Sequence, residues 1–193
     1  MQFIPQFPDN VVDLEKSSRW REAAILLYQQ WCAEPQNVTY LLCAGLELWY
    51  TLVVLQHENM RNMFNPKHVL VTDDLQEMLA EVAKHGEEYF STNTMYNCYF
   101  GYMIKTMPYF FGDFDGEYDR RVEIGESMIQ KAYRLDPSNL LAKAFSFNTD
   151  EYGRNSPFYE ACRELWSVST QRWGDSAVQR YFFDILWGED FMV

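Results

Sequence analysis

The sequence predicts an all-α protein, and three observations indicate this class. Apolar residues recur at steps of three and four through most of the chain, which is the period of an amphipathic helix. Short segments containing Pro, Gly, Asn or Asp interrupt that period at intervals. No run alternates apolar and polar residues convincingly over the length of a strand. We therefore expect about eight helices, and short loops place consecutive helices antiparallel.

The first two helices are separated by a proline. The predicted helix Ser17–Ala33 has one apolar face, which includes Leu27 and Trp31. The segment 34–37, Glu-Pro-Gln-Asn, ends it, because proline restricts the preceding residue and cannot continue a helix. The next helix, Val38–Met60, is apolar nearly all round in its middle, which predicts a buried central helix.

The other six helices are delimited by similar breaks. They are expected from Thr72 to between Gly86 and Ser91, and at Thr92–Met107, Tyr118–Leu135, Leu140–Phe147, Phe158–Arg172 and Ser176–Trp187. No linker rich in Ser or Gly divides the chain. The prediction is therefore a single all-α domain over residues 1–193.

The chain is acidic along its whole length. It has 28 Asp and Glu against 16 Lys and Arg, a net charge of −12. The two halves carry −7 and −5, so the excess belongs to the whole surface and not to a tail. Such a field repels phosphate backbones, which disfavours direct nucleic-acid binding, and it attracts a basic protein partner. Acidity can also serve solubility alone.

Cysteine usage and the first residues favour the cytoplasm. Four scattered cysteines lie in apolar, helix-like stretches without CxxC spacing, which predicts buried thiols in a reducing compartment. Residues 1–10 have neither the basic nor the apolar region of a signal peptide. The apolar stretch Leu46–Leu55 is too short and interrupted to span a bilayer, so no membrane association is expected.

Two helix–turn–helix segments suggest a repeat. The segment Lys131–Lys143, KAYRLDPSNLLAK, resembles the junction between two tetratricopeptide repeats, and Pro35 and Pro137 are 102 residues apart, three periods of 34. The intermediate positions hold Val69 and Met103 instead of Pro, and the Trp-Leu-Gly-Tyr pattern of the family's first helix is absent. The resemblance implies a stack of helical hairpins with a concave surface for a peptide or protein. The alternative is a generic helical bundle in which Pro only ends helices.

The sequence offers no recognisable catalytic or metal-binding motif. The three histidines form no HExxH, the glycines form neither GxGxxG nor a phosphate-binding loop, and no GxSxG is present. Glu81 and His85 are four residues apart, but two residues are too few for a zinc site. We expect no enzyme activity, no cofactor and no metal. Aromatic residues form several stripes, which we expect to serve packing: Trp20 with Trp31, Tyr96 with Tyr99 and Phe100, Trp166 with Trp173, and Tyr181 with Phe182.

An acidic and aromatic loop, FFGDFDGEYD at Phe110–Asp119, is the most distinctive local feature. Carboxylates can steer a basic partner while aromatic side chains anchor it. A second such site lies between the sixth and seventh predicted helices. The predicted partner-binding residues are Asp113, Phe114, Asp115, Glu117, Tyr118, Asp119, Asp150, Glu151 and Tyr152.

Two other interpretations of this loop stay open. Its acids suit the positive end of the following helix dipole, so it could be a solvated helix start. A calcium loop is the weaker alternative. Counted from Asp113, the sixth residue is Tyr118 and the twelfth is Ile124, where the EF-hand pattern needs Gly and Glu.

Size, acidity and this loop together resemble the immunity proteins that bacteria make against their own toxins. That resemblance implies an inhibitor that covers the active site of a basic, nuclease-type toxin domain with carboxylates. The alternative function is a tetratricopeptide-like adaptor that binds a peptide in a groove. A concave face rich in Asn, Lys and Arg would favour the adaptor, and an acidic patch on a loop would favour the inhibitor.

Overall fold

The computed structural model describes residues 5–61, 70–111, 118–147, 156–169 and 174–187. These residues form nine α-helices, one short 3-10 helix at Pro108–Phe111, and no strand. The α-helices are α1 (Asp9–Lys16), α2 (Trp20–Ala33), α3 (Val38–Arg61), α4 (Asp73–Phe90), α5 (Thr94–Thr106), α6 (Tyr118–Leu135), α7 (Leu140–Ser146), α8 (Pro157–Ser169) and α9 (Ala177–Trp187). The predicted all-α class is confirmed.

The helix predicted at Ser17–Ala33 begins later than expected, and a separate helix precedes it. Residue Ser18 has a φ of 56°, a left-handed conformation that no α-helix can contain. The backbone N–H groups of Ser18 and Arg19 close the end of α1 by donating to Glu15 and Leu14. The chain then turns into α2.

Asparagine ends each of three similar turns, α2–α3, α4–α5 and α6–α7. The backbone N–H groups of Asn37, Asn93 and Asn139 donate to the carbonyl three residues earlier at 2.9, 2.8 and 3.0 Å. Each Asn side chain then accepts a backbone N–H in the first turn of the next helix. An Asn that caps otherwise unpaired N–H groups favours the start of a helix.

The spacing of these turns differs from that of a 34-residue repeat. Between Pro35 and Pro137 lie four described α-helices, α3 to α6, whereas three repeats of two helices each would need six. The inference of three periods from their separation is therefore wrong. Helical hairpins are present, while membership of the tetratricopeptide family stays a prediction.

An aromatic cluster joins the second helix of each hairpin. Trp49 of α3 is fully buried, and its ring centroid lies 6.0 Å from Tyr102 of α5 and 5.3 Å from Tyr181 of α9. Tyr102 stacks on Phe145 of α7 at 4.7 Å. Helices α3, α5, α7 and α9 therefore share one core. The expected packing role of the aromatic stripes is confirmed for their buried members, Trp31, Tyr96, Tyr99, Phe100 and Phe182. Of those stripes, Trp173 and the side chain of Trp166 lie outside the description.

Helix α3 is the apolar centre of the molecule. It has 24 residues and a mean hydropathy of 1.7 in its most apolar window, which is long and apolar enough to cross a membrane by length and composition. The stretch Leu46–Leu55, which by itself is too short to span a bilayer, is only part of this apolar helix. About 67% of that window is buried inside the fold, the condition of a core helix, and the predicted cytoplasmic location stays a prediction.

The two ends of the described chain meet. The Gln179 side chain donates to the carbonyl of Pro5 at 3.2 Å, and the Ala177 backbone N–H donates to the Glu15 carboxylate at 2.7 Å. Helix α9 thus lies against α1 and α3, and the ends of the hairpin series are in contact.

The cysteine prediction is right for three of four residues. Cys43, Cys98 and Cys162 are buried, and burial raises the pKa of the Cys43 thiol to about 12. Cys32 is exposed near the end of α2, so the expectation of a buried thiol is wrong there.

Candidate functional site

Most of the predicted partner-binding residues lie outside the described residues. This holds for Asp113, Phe114, Asp115, Glu117, Asp150, Glu151 and Tyr152. The two described members, Tyr118 and Asp119, open α6 and are exposed; 54% of the surface of Tyr118 is accessible. Asp119 stands in the first turn, where a carboxylate favours the helix dipole. The bases Arg120 and Arg121 follow directly.

A groove of about 570 Å³ runs between α4 and α6, with α5 as its floor. Residues spaced by three and four form each wall, so each helix presents one face. The apolar lining includes Ala83 of α4, Ile104 of α5, and Ile124 and Met128 of α6. Ile124 is 44% exposed, so this apolar side chain is accessible to a ligand in the groove.

The same groove gathers positive charge on a negatively charged protein. Its lining contains four bases, Lys84, Arg120, Arg121 and Lys131, and one acid, Glu87. Within the part of the chain that the structure describes, Lys84, Arg121 and Lys131 form no ion pair. Salt screens charges beyond about 8–10 Å, so a group inside the groove responds mainly to the charges of its lining.

Helices α5 and α6 cross closely at two glycines, Gly101 and Gly125, and this crossing fixes the floor of the groove against one wall. A Cβ built on Gly125 of α6 would lie 2.6 Å from the carbonyl oxygen of Gly101 of α5 and 2.6 Å from the backbone nitrogen of Lys105. A Cβ on Gly101 would lie 2.8 Å from the Gly125 carbonyl oxygen. Only glycine permits this approach, which sets the separation of α5 and α6.

Hydrogen bonds hold the other wall and one end of the groove. The Tyr96 hydroxyl of α5 donates to the Ala83 carbonyl of α4 at 2.9 Å. Buried Asn97 donates to the carbonyls of Ser91 and Asn93, both at 2.8 Å, which fixes the α4–α5 turn. The lining is thus attached to a rigid frame, as a binding site requires.

A second charge cluster lies in the core. Glu15 of α1 is 2% exposed and Glu47 of α3 is 0% exposed. Burial raises the pKa of both carboxyls, and the nearby Glu15 raises that of Glu47 further, well above its usual value. Glu15 accepts the Ala177 N–H, so this acid pair lies where α1, α3 and α9 meet.

The Glu81 and His85 pair is structural. The Tyr28 hydroxyl of α2 donates to Glu81, and His85 Nε2 lies 3.0 Å from the Pro35 carbonyl oxygen. His85 also packs edge-on against Trp31 at 5.3 Å between ring centroids. Both residues therefore attach α4 to α2. Among the described residues, no three His, Cys, Asp or Glu come together in a way that could hold a metal ion.

Sequence reasoning missed both charge clusters, although each has a signal. Glu47 is the only charged residue between Val38 and Gln56, and a single acid in an apolar helix marks a buried carboxyl. The bases of the groove come from α4 and α6, which are far apart in sequence, so only the fold brings them together.

No protein-family model matches the chain, and no similar curated protein or solved structure was found. Any functional conclusion therefore depends on the residues and their arrangement.

Proposed function

We propose that this chain is a protein-binding adaptor that holds an acidic, partly apolar segment of another protein in the groove between α4 and α6. The observation that supports this most is the charge of the groove, four bases against one acid, on a chain of net charge −12. This is the feature that separates the adaptor from the inhibitor, which needs an acidic surface. No enzymatic step is part of the proposal.

The lining suggests how such a segment is recognised. Arg121 and Lys131 are ten residues apart on α6, about 15 Å at 1.5 Å per residue. An extended segment rises about 3.3 Å per residue, so about five residues fit between the two bases. Carboxylates at the ends of the segment would meet Arg121 and Lys131, and an apolar side chain between them would cover Ile124 and Met128.

A photo-cross-linking amino acid at Ser127, an exposed groove residue, tests the adaptor in the cells that express the protein. The same amino acid at exposed Gln29 of α2 serves as the matched position outside the groove. Mass spectrometry should identify acidic, partly apolar segments attached at position 127 and not at position 29. Basic segments at position 127, or the same segments at both positions, contradict the proposal.

Charge-removing variants then test the bases themselves. Hydrogen bonds to charged groups contribute about 1.5–3 kcal/mol. The double variant Arg121→Ser and Lys131→Ser should therefore weaken binding of the captured segment roughly tenfold or more. The control, Arg61→Ser with Arg134→Ser, makes the same change in net charge at exposed positions that do not line the groove. An equal loss in both doubles would mean that only overall charge matters.

The inhibitor of a basic toxin is the second candidate, supported by the exposure of Tyr118 and Asp119 at the end of the acidic loop. Here a cross-linker at Tyr118 should capture a basic protein. Reversing Asp113, Asp115, Glu117 and Asp119 to Lys should slow association and reduce its salt dependence. Unchanged association with the captured protein would remove the loop from that role.

A further inference from the structure

We propose that α1 and α9 dock on α3 through a carboxyl–carboxylate pair, Glu47 and Glu15, that holds a single shared proton, and that loss of this proton loosens both helices together. The proposal is independent of the groove. It makes the attachment of α1 and α9 to α3 weaken as the pH rises.

The buried oxygens of the two carboxyls need a hydrogen-bond donor. Two ionised carboxylates have acceptors but no donors, so both Glu47 oxygens and Glu15 Oε1 would then be buried without a partner. A proton on one residue supplies the missing donor, and the two carboxyls then hydrogen-bond each other. Buried polar atoms are nearly always paired in native proteins, so the protonated arrangement is favoured.

The surroundings place the negative charge on Glu15 and the proton on Glu47. Glu15 accepts the Ala177 N–H at the start of α9, and Lys16 of α1 and Arg180 of α9 both favour its ionised form. Glu47 lies deeper, and no base stabilises its negative charge. A buried charge without a partner is costly, so this carboxyl is the one that keeps the proton.

Three polar side chains of α3 also lie near the pair and stay neutral over the same range. The Tyr50 and Cys43 side chains face the acids, and burial raises the pKa of each above its ordinary value. The Thr51 hydroxyl lies close to Glu47 and opposes the rise of its pKa, but its single proton is donated to the Trp20 carbonyl at 3.3 Å. None of these three groups can supply the proton near neutral pH.

The sign of the pH dependence follows from the raised pKa of Glu47. In the unfolded chain an ordinary glutamic acid loses its proton near pH 4.3, whereas the folded protein retains it to higher pH. Between those two values folding takes up one proton. The stabilisation by the pair is complete at low pH and is lost as the pH rises towards the folded pKa, by up to a tenfold increase in the unfolding equilibrium constant per pH unit.

Urea unfolding of the full chain from about pH 5.5 to 8.5 tests this, since ordinary carboxyls are already ionised there. In Glu47→Gln, an amide that is neutral at every pH donates to Glu15. The rise of the unfolding equilibrium constant with pH should therefore disappear. At the high-pH end of the range the variant should be more stable than the wild type. Glu15→Gln should keep the increase, since Glu47 stays buried. Exposed Glu123→Gln should behave as wild type.

Two results overturn the proposal. One is a wild-type protein whose unfolding equilibrium constant does not rise with pH, and the other is a Glu47→Gln variant in which it still rises. If Glu47→Gln does not fold, infrared spectroscopy of the wild type decides the question. The folded protein at neutral pH should show the band of a protonated carboxylic acid, and its absence refutes the shared proton. Hydrogen exchange at Ala177 should then accelerate with pH faster than exchange at Ala142, which Asn139 caps.

Discussion

The groove and the acid pair both gather charges of one sign, but in opposite surroundings. The bases of the groove remain in contact with water, where like charges at a distance repel only weakly. The two acids are in the core, where an unpaired charge is so unfavourable that a proton is retained instead. The comparison separates two roles: the exposed cluster keeps its charge and can attract a ligand, whereas the buried cluster gives up one charge and holds helices together.

The largest loss of stability should come from truncating Glu15 of the acid pair, which leaves no hydrogen-bonding side chain in its place. In Glu15→Ala the Ala177 N–H loses its acceptor and Glu47 loses its hydrogen-bond partner inside the core. We expect a loss of about 2–3 kcal/mol in the free energy of unfolding. Urea unfolding at about pH 5.5, where ordinary carboxyls are already ionised, measures this loss. A loss no greater than that of exposed Glu123→Ala would show that the pair does not hold α1 and α9 on α3.

An intermediate effect should follow from closing the space at the α5–α6 crossing. In Gly125→Ala the new methyl group meets the backbone of Gly101 and Lys105, so the helices must separate. The expected cost is about 1–2 kcal/mol, together with weaker binding in the groove. Glu123→Ala on the same helix is the control for helix propensity. Full stability of Gly125→Ala would mean that the crossing is not tight in solution.

The smallest effect on stability should come from the bases of the groove. Replacing Arg121 and Lys131 with Ser removes half-buried charges that have no described ion-pair partner, so the free energy of unfolding should change by no more than about 0.5 kcal/mol. The same double variant is expected to lose ligand binding. A large loss of stability would place these residues in the same structural role as the acid pair and would remove the distinction between the clusters.

The fold was predictable because its signals are local. The helix expected at Tyr118–Leu135 has the observed bounds, since Pro and Gly mark its neighbourhood and its apolar period is regular. Helix α1 was missed because it has only eight residues and its end depends on the left-handed Ser18, a residue type with no strong preference for that conformation.

The candidate site was not predictable in the same way. The acidic loop was found because its residues are adjacent in sequence, whereas the groove joins Lys84 to Lys131 across two intervening turns. Their proximity depends on a helix crossing at Gly101, and a single glycine in an apolar helix does not reveal its partner. Glu47 could have been identified as buried, but its association with Glu15 required knowledge of how α1 and α3 pack.

The contact between the two ends of the described chain has a consequence for biosynthesis. The Glu15 carboxylate accepts the backbone N–H of Ala177, which is synthesised 162 residues later. At roughly 5–20 residues per second, a ribosome needs about 8–30 s to make that stretch. During this interval the emerging hairpins can form, but the apolar surface of α3 that α9 covers remains open. A nascent chain in this state is a natural substrate for chaperones, and ribosome stalling before α9 should expose it to aggregation.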